Sequence, residues 1–185
     1  SCIVHTMHCV SPPTPKIHKG LYFGHMDVCS LHDTETDIAL VHACKEPCHR
    51  KAAGYSVRSL PSDHPHYLSV EKDNHLYLNL IDPPVPLFQL KSFHIALEFA
   101  MRQLPVRPLY IHCNQGQSRA PSLAMLIMAK LLGELPDESY VAARTAFEAE
   151  FPYSPGKGIE TFLTENWDKI SVPPPVHAHR HGIPQ

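Results

Sequence analysis

Short hydrophobic runs bounded by turn residues predict the strands of this protein. Leu21–Gly24 is an apolar run that ends at a glycine, and Asp37–His42 combines β-branched and apolar residues. Leu76–Ile81 ends before Asp-Pro-Pro, and Pro108–His112 is a further short apolar run. Runs of this length with such flanks are typical of buried strands. Residues 43–66, rich in Cys, His, Lys, Pro and Gly, predict a loop with at most a short helical turn.

Apolar residues recur at helical spacing in the second half of the chain. Phe93–Leu104 carries such a face and is stopped by a proline, and Ala120–Leu132 is followed by a glycine cap. Two further helices are expected over Asp137–Glu150 and Gly158–Ile170. Because strands alternate with helices through the middle of the chain, the pattern predicts an α/β layered domain.

The chain length of 185 residues fits one domain with a terminal extension on each side. Residues 1–15 are polar and proline-bearing and are expected to be irregular. Residues 16–170 hold the predicted strands and helices and form the folded domain. Residues 171–185 form a Pro- and His-rich tail of low complexity that cannot pack a core.

Charge and composition argue against several classes of function. Lys and Arg number 16 and Asp and Glu number 18, and the net charge of -2 argues against a nucleic-acid or anionic-membrane partner. No apolar run reaches the roughly 18 residues that span a bilayer. The 6 cysteines have irregular spacing, which does not establish a disulfide framework. We therefore expect a cytoplasmic monomer with reduced thiols.

The segment from His112 to Arg119 carries the clearest candidate chemistry. A predicted buried strand delivers Cys113 into a short polar loop, and a helix is expected directly after it. Loop amides and the helix N-terminus then converge on one point, which binds a dianion and favours a thiolate. Gly116 lets the backbone curl, and the planar guanidinium of Arg119 can hold two phosphate oxygens. These residue types predict phosphoryl transfer through a phosphocysteine intermediate.

This His-Cys-x5-Arg segment, with its Gly-x-Ser-Arg ending, resembles the signature of the cysteine-dependent protein tyrosine phosphatases, above all their dual-specificity branch. The resemblance implies a mixed central sheet flanked by helices, a catalytic domain over 16–170, and no metal or organic cofactor. It also implies that Cys113 is the nucleophile, that Arg119 binds the phosphoryl oxygens and that His112 supports the loop. The remaining loop residues are then expected to bind substrate: Asn114, Gln115, Gly116, Gln117 and Ser118.

The same family needs a general acid on a separate loop upstream of the cysteine. Asp82 fits, because it follows a predicted strand, lies before Pro83-Pro84 and precedes Cys113 by 31 positions. A carboxylic acid there would protonate the leaving oxygen as the P–O bond breaks. The structural alternative for this residue is turn formation before Pro-Pro. Asp63 and Asp73 are weaker candidates, since a predicted strand separates both from the acid-loop position.

One position departs from the pattern of the family. Members usually have Ser or Thr directly after the arginine, and that hydroxyl assists departure of the cysteine in the second step. Here the residue is Ala120, and Ser122, two positions further along the helix, cannot simply take over the role. We therefore expect the phosphocysteine to break down slowly relative to its formation, with a burst of product before steady turnover.

The expected partner is a phosphorylated protein or peptide that carries phosphotyrosine, with phosphoserine and phosphothreonine also admitted. No segment resembles the deep phenol-binding loop of tyrosine-specific domains, and the cysteine loop lacks the Lys that phosphoinositide phosphatases usually place there. Phosphoinositides or RNA 5′-phosphates remain alternative substrates. A phospho-ligand-binding module without catalysis, and a rhodanese-like or arsenate-reducing thiol enzyme, remain alternative functions.

A zinc protein is the alternative from a different class. His42, Cys44, Cys48 and His49 lie close together along the chain. Neither a Cys-x2-Cys pair nor a standard spacing of two Cys and two His is present, so no metal site is expected. The remaining candidate ligands are scattered, and the last three of them fit a solvated tail: His5, His8, Cys9, Cys29, His32, His177, His179 and His181.

Overall fold

A mixed sheet forms the centre of the protein in a computed structural model, which describes residues 7–27, 29 and 37–173. The strands are β1 Met7–Ser11, β2 Leu21–His25, β3 Ala39–His42, β4 Ser69–Lys72, β5 His75–Leu78 and β6 Leu109–Cys113. The inner strands β2, β6, β3 and β5 are parallel, and the edge strands β1 and β4 are antiparallel to their neighbours, in the order β1-β2-β6-β3-β5-β4. The expected mixed sheet is thus confirmed.

Helices flank the sheet, as expected. The helices are α1 Arg50–Ala53, preceded by a turn Lys45–His49, then α2 Leu90–Gln103, α3 Arg119–Lys130, α4 Tyr140–Glu148 and α5 Lys157–Asn166, followed by a 3-10 turn Trp167–Lys169. In α3, every residue from Arg119 to Ala129 is buried, because this helix packs against β6, β2 and two neighbouring helices. Among the described residues, no helix combines the length and apolar character that crossing a membrane requires.

The sheet order determines where the predicted nucleophile lies. Strand β6 lies between β2 and β3, and Cys113 is its last residue, in register with His25 of β2. The four parallel strands end at the same edge of the sheet. Ligands of open parallel sheets bind outside this carboxyl edge, so the topology places the Cys113 loop where a binding site is expected.

The N-terminal segment corrects one expectation. Residues 1–15 are predicted to be irregular, but Met7–Ser11 forms β1 and pairs with β2. Val10 and Ser11 are buried in this arrangement. The strand depends on backbone hydrogen bonds to a partner further along the chain, and no local pattern in these residues reveals them. The expectation for 174–185 falls outside the described residues.

Other element boundaries differ from the predicted ones for local reasons. Helix α4 begins at Tyr140 instead of Asp137, because the Ser139 hydroxyl caps it by accepting from the Ala142 amide at 3.0 Å. The helix predicted over Gly158–Ile170 ends at Asn166 and continues as the 3-10 turn. Strand β4 is not predicted, since its sequence Ser-Val-Glu-Lys buries Val70 alone.

Candidate active site

Cys113 is held at the junction of β6 and α3. Its side chain is buried, and the backbone amide of Ala120 donates to the sulfur, with N and Sγ 3.4 Å apart. This amide belongs to the first turn of α3, where backbone N–H groups lack partners within the helix. The sulfur therefore lies at the positive end of the helix dipole, where a bound anion is stabilised.

Gly116 allows the loop to lie directly on the end of β2. Its φ is +72°, in the left-handed region, and a Cβ there would approach the backbone of Gly24 to 2.6 Å and the amide nitrogen of His25 to 2.9 Å. No ordinary side chain fits such a gap. The structure therefore requires glycine at this position for both its conformation and its close approach.

Arg119 is buried, and two of its nitrogens donate to protein acceptors. Its Nη1 donates to the Leu80 carbonyl at 2.9 Å, and its Nη2 donates to Asn114 Oδ1 at 2.7 Å. Its Nε is buried and has no hydrogen-bond partner among the described residues. An unsatisfied buried N–H of a charged group is costly, and an oxygen acceptor entering the loop would remove that cost.

Asn114 positions the arginine in addition to lining the loop. While its Oδ1 accepts from Arg119, its Nδ2 donates to the Glu46 carbonyl at 2.9 Å. The side chain thus ties the guanidinium to the turn Lys45–His49. The sequence predicts substrate binding for Asn114, and the structure adds a positioning contact that spacing along the chain does not reveal.

Asp82 is exposed and joined to the cysteine loop through Ser118. The Ser118 hydroxyl donates to Asp82 Oδ1 at 3.1 Å and accepts from the Gly156 amide at 2.8 Å. A side chain at Gly156 would overlap the Asp82 carboxylate. Ser118 on one side and Gly156, directly before α5, on the other therefore constrain the position and rotamer of the Asp82 carboxylate.

The predicted residues converge on a cavity of about 380 Å³. Gly116 packs against Gly24 instead of lining it. Ser154 is an addition to the predicted set, and its amide donates to the Gln117 carbonyl at 2.9 Å. In the sequence, Ser154 is marked only by its place in a Ser-Pro pair before the last helix. The lining residues are Asp82, Cys113, Asn114, Gln115, Gln117, Ser118, Arg119 and Ser154.

The weaker acid candidates lie elsewhere. Asp73 is in the turn between β4 and β5, at the opposite end of β5 from Asp82, with a φ of +54°. Neither Asp73 nor Asp63 lines the cavity around Cys113. Asp82 is the acidic residue that lines this cavity among the described residues.

His112 faces away from the cavity. Its Nε2 lies 2.7 Å from His42 Nδ1, and its backbone carbonyl accepts from the Ala43 amide at 2.8 Å. The residue fixes strand β6 against β3 immediately before Cys113. Support of the loop, as predicted for His112, would therefore act through the backbone and not through contact with the cavity.

The hydroxyl of Ser122 is engaged away from Cys113. It lies 2.7 Å from the hydroxyl of Tyr153, which lies 2.8 Å from that of Tyr140. Ser122 is therefore committed to a buried tyrosine pair. Ser122 therefore does not supply the hydroxyl that is absent from Ala120, the residue directly after Arg119.

Solved structures show what this architecture is similar to. PTPMT1 in complex with PI(5)P aligns with a TM-score of 0.50 and 15% identity, over 89% of this chain and 96% of that one. The chain has the protein tyrosine phosphatase-like fold. The human tyrosine phosphatase-like serine/threonine/tyrosine-interacting protein aligns with a TM-score of 0.47 and 19% identity, over 80% of this chain and 91% of that one. No protein-family model and no curated protein sequence matches the chain.

Proposed function

We propose that this protein is a cysteine-dependent phosphatase that hydrolyses phosphomonoesters through a phosphocysteine intermediate. The observation that carries the proposal is the lining of one cavity by a thiol, a buried arginine and a carboxyl group: Cys113, Arg119 and Asp82. A nucleophile, an oxyanion-binding group and a general acid are the parts that this reaction needs.

In the first step, the Cys113 thiolate attacks phosphorus and the P–O bond to the leaving group breaks. Arg119 and the loop amides bind the nonbridging oxygens, whose charge they stabilise in the transition state. Asp82 gives its proton to the leaving oxygen, so that an alcohol or phenol departs instead of its anion.

In the second step, water attacks the phosphocysteine and the S–P bond breaks. The Asp82 carboxylate, now without its proton, accepts one from the attacking water. Inorganic phosphate forms and the Cys113 thiolate is regenerated, so neither a metal nor an organic cofactor takes part. The alanine at position 120 provides no hydroxyl to assist departure of the sulfur, which makes this step the slower one.

For the substrate, we propose phosphotyrosine in proteins or peptides, with phosphoserine and phosphothreonine as further substrates. The cavity side chains beyond the catalytic residues are neutral amides and hydroxyls: Asn114, Gln115, Gln117, Ser118 and Ser154. Such a lining suits one phosphoryl group and offers no additional cation for a polyphosphorylated headgroup. PI(5)P is nevertheless included as a candidate, since it is the ligand of a neighbour with the same fold.

The test is a phosphatase assay of wild type, Cys113→Ser and Cys9→Ser on phosphotyrosyl, phosphoseryl and phosphothreonyl peptides and on PI(5)P. Cys9 is exposed on β1 and serves as a matched thiol control. We expect turnover of phosphotyrosyl peptide by wild type and Cys9→Ser, and none by Cys113→Ser. Acid quenching should trap label from a ³²P-substrate on wild type. Turnover that survives Cys113→Ser would overturn the mechanism.

The alanine at position 120 favours a second candidate function, a phospho-ligand-binding module. That function predicts phosphopeptide binding by wild type without product release on any substrate. Isothermal titration of the same peptides therefore separates the two functions. Binding accompanied by a single turnover, and no more, would identify a stalled phosphocysteine instead of a binding module.

A further inference from the structure

Four side chains of types that can bind metal come together from separate parts of the chain, next to the strand end that carries Cys113. They are Cys29, His42, Cys48 and His112, and their ligand atoms all lie within 4.8 Å of one another. Cys29 follows β2, His42 ends β3, Cys48 lies in the turn Lys45–His49, and His112 lies in β6. From this geometry we propose a zinc site of two thiolates and two imidazoles.

The distances between the ligand atoms fit a single tetrahedral ion. Zinc bonds of about 2.3 Å to sulfur and about 2.0 Å to nitrogen place tetrahedral ligands about 3.3 to 3.8 Å apart. Here Sγ of Cys29 and Sγ of Cys48 are 3.6 Å apart, and Cys29 Sγ is 3.3 Å from His42 Nδ1. His112 Nε2 lies 2.7 Å from His42 Nδ1 and 4.0 Å from Cys48 Sγ. Small movements of the His42 and His112 rings and of the Cys29 and Cys48 side chains would bring these distances into the tetrahedral range.

The surroundings of His42 resemble those of a histidine that binds metal. Its second nitrogen, Nε2, lies 3.0 Å from His75 Nδ1, and its ring stacks on Tyr77 with centroids 4.2 Å apart. A hydrogen bond from the other ring nitrogen orients a metal-binding imidazole and fixes its tautomer.

The chemistry of the ligands selects zinc. Two thiolates and two imidazoles make a soft-to-borderline site that disfavours Mg²⁺ and Ca²⁺, which prefer oxygen. With four protein ligands the site has no open position, so the ion would be structural and not catalytic. Zn²⁺ replaces the thiol protons, which pass to solvent, and the two thiolates balance its charge.

The cluster can be reached from solvent. A cavity of about 620 Å³ borders Cys29 and Cys48, with Met26, Pro47 and Tyr77 among its lining residues. This cavity is separate from the one around Cys113, and it gives an ion a path to the two sulfur atoms. A bound ion would link the segment after β2 to three elements that support the cysteine loop.

The spacing of these four residues along the sequence does not predict this site. Of the candidates that lie close together along the chain, the cluster uses His42 and Cys48 and not Cys44. His49 is occupied elsewhere, since its Nδ1 lies 3.0 Å from the Tyr55 hydroxyl and its Nε2 lies 2.8 Å from a backbone carbonyl. The other two ligands, Cys29 and His112, come from distant segments of the chain, so the four residues can be recognised as one site only in the folded structure.

The test measures metal content and ligand type in the untagged chain of 185 residues. Protein kept reduced with a phosphine is loaded with Zn²⁺, dialysed and analysed by mass spectrometry for zinc. We expect one equivalent per chain in wild type and in Cys9→Ser, and loss of it in Cys29→Ser. Cys29 is partly exposed, so that variant should fold, which circular dichroism checks. Replacement by Co²⁺ should give wild type the thiolate charge-transfer and tetrahedral d–d bands that Cys29→Ser lacks.

Two further variants make the result decisive. His75→Ala should weaken zinc affinity by about 10- to 100-fold without abolishing it, because it removes the group that orients His42. A triple His→Gln variant at positions 177, 179 and 181 should retain the full equivalent. Zinc lost with the triple variant, zinc retained by Cys29→Ser, or a reduced wild type that binds none would each overturn the proposal. A Cys29–Cys48 disulfide that forms in air without zinc binding after reduction would also do so.

Discussion

The hydroxyl of Ser118 donates a hydrogen bond to the carboxylate of Asp82, with Oγ and Oδ1 3.1 Å apart. The donor lies in the loop that surrounds the nucleophile, and the acceptor is the proposed general acid. One hydroxyl therefore couples the positions of the two groups that must act together on the leaving oxygen. In the proposed mechanism, Ser118 is therefore a positioning residue for Asp82.

Replacing Ser118 with Ala should slow the reaction according to the leaving group. A positioned general acid contributes about 10²- to 10⁴-fold, so loss of its anchor should lower kcat/KM on phosphotyrosyl peptides, which reports the first step, by about tenfold. Activated aryl phosphates need less protonation and should be hydrolysed almost normally. Steady-state assays of both substrates measure the ratio, and Ser118→Thr should restore it.

Asp82→Asn should show the same selectivity in kcat/KM, which reports the first step, with a larger loss of about 100-fold on phosphopeptides. The variant retains a side chain of similar shape and removes the transferable proton. Equal losses on activated and unactivated substrates would remove Asp82 from the role of acid, and would remove Ser118 from its role with it. The acidic residues Asp63 and Asp73 offer matched controls, since neither lines the cavity.

Gly116→Ala should disable the loop far more than an alanine at another left-handed glycine. Gly116 has a φ of +72° and faces backbone atoms of Gly24 at 2.6 Å, whereas Gly54 has a φ of +75° and nothing within 4 Å. Gly116→Ala and Gly54→Ala should each lose about 1 kcal/mol of stability, because alanine is strained in the left-handed region. The added clash at Gly116 displaces the loop, and a misplacement of about 1 Å lowers the rate by about 100-fold. Urea unfolding and kcat/KM on both variants separate strain from displacement.

Asn114→Ala should weaken the binding of phosphate analogues. The change removes the 2.7 Å acceptor of Arg119 Nη2 and the 2.9 Å link to the Glu46 carbonyl. A hydrogen bond to a charged group is worth about 1.5 to 3 kcal/mol, so the orthovanadate inhibition constant should rise by at least about tenfold. Asn79→Ala is the control, because that side chain donates to the Tyr67 carbonyl at 2.8 Å and lies outside the cavity. Equal inhibition constants for Asn114→Ala and wild type would contradict the positioning role.

The cysteine loop and the inner strands could be predicted from the sequence because their signals are local. Leu21–Gly24 and Pro108–His112 are apolar runs with clear ends, and the structure has β2 and β6 there. Strand β1 escaped prediction because its stability depends on pairing with β2, a partner its own residues do not specify. Strand β4 is not predicted, because an exposed edge strand buries few side chains and so has little hydrophobic pattern.

The same distinction separates the candidate residues that the sequence predicts from the contacts between them that it does not. Cys113 and Arg119 are joined by one short segment, so their spacing reveals them. The contact of Ser118 with Asp82 joins positions 36 apart, and the contact of Cys29 with Cys48 joins positions 19 apart. Neither separation has a periodicity that predicts proximity. Contacts of this kind arise from the topology of the whole sheet and appear only when the strands are assembled.

Ala120→Ser should accelerate the second chemical step and leave the first unchanged. Ala120 is fully buried, and its amide already donates to the Cys113 sulfur at 3.4 Å. A hydroxyl in its place would assist departure of the sulfur from phosphorus. Rapid-quench assays of wild type should show a burst of released alcohol before slow turnover, and Ala120→Ser should raise the steady rate without changing the burst. A linear time course for wild type would refute the slow second step.

Tyr153 should make the protein lose stability in alkaline solution. Its hydroxyl is buried between Ser122 and Tyr140, and burial raises the pKa of Tyr153 well above its usual value. The folded state therefore retains this proton when the unfolded state begins to lose it, near pH 10. The contribution is complete below about pH 10 and decreases as the pH rises towards the folded pKa, because ionisation then favours the unfolded chain. Urea unfolding across this range should show the decline in wild type and a smaller one in Tyr153→Phe. At neutral pH, Tyr153→Phe should lose about 1 to 3 kcal/mol, since it leaves two buried hydroxyls without this partner. Equal slopes of stability against pH in both proteins would show that Tyr153 is not the group responsible.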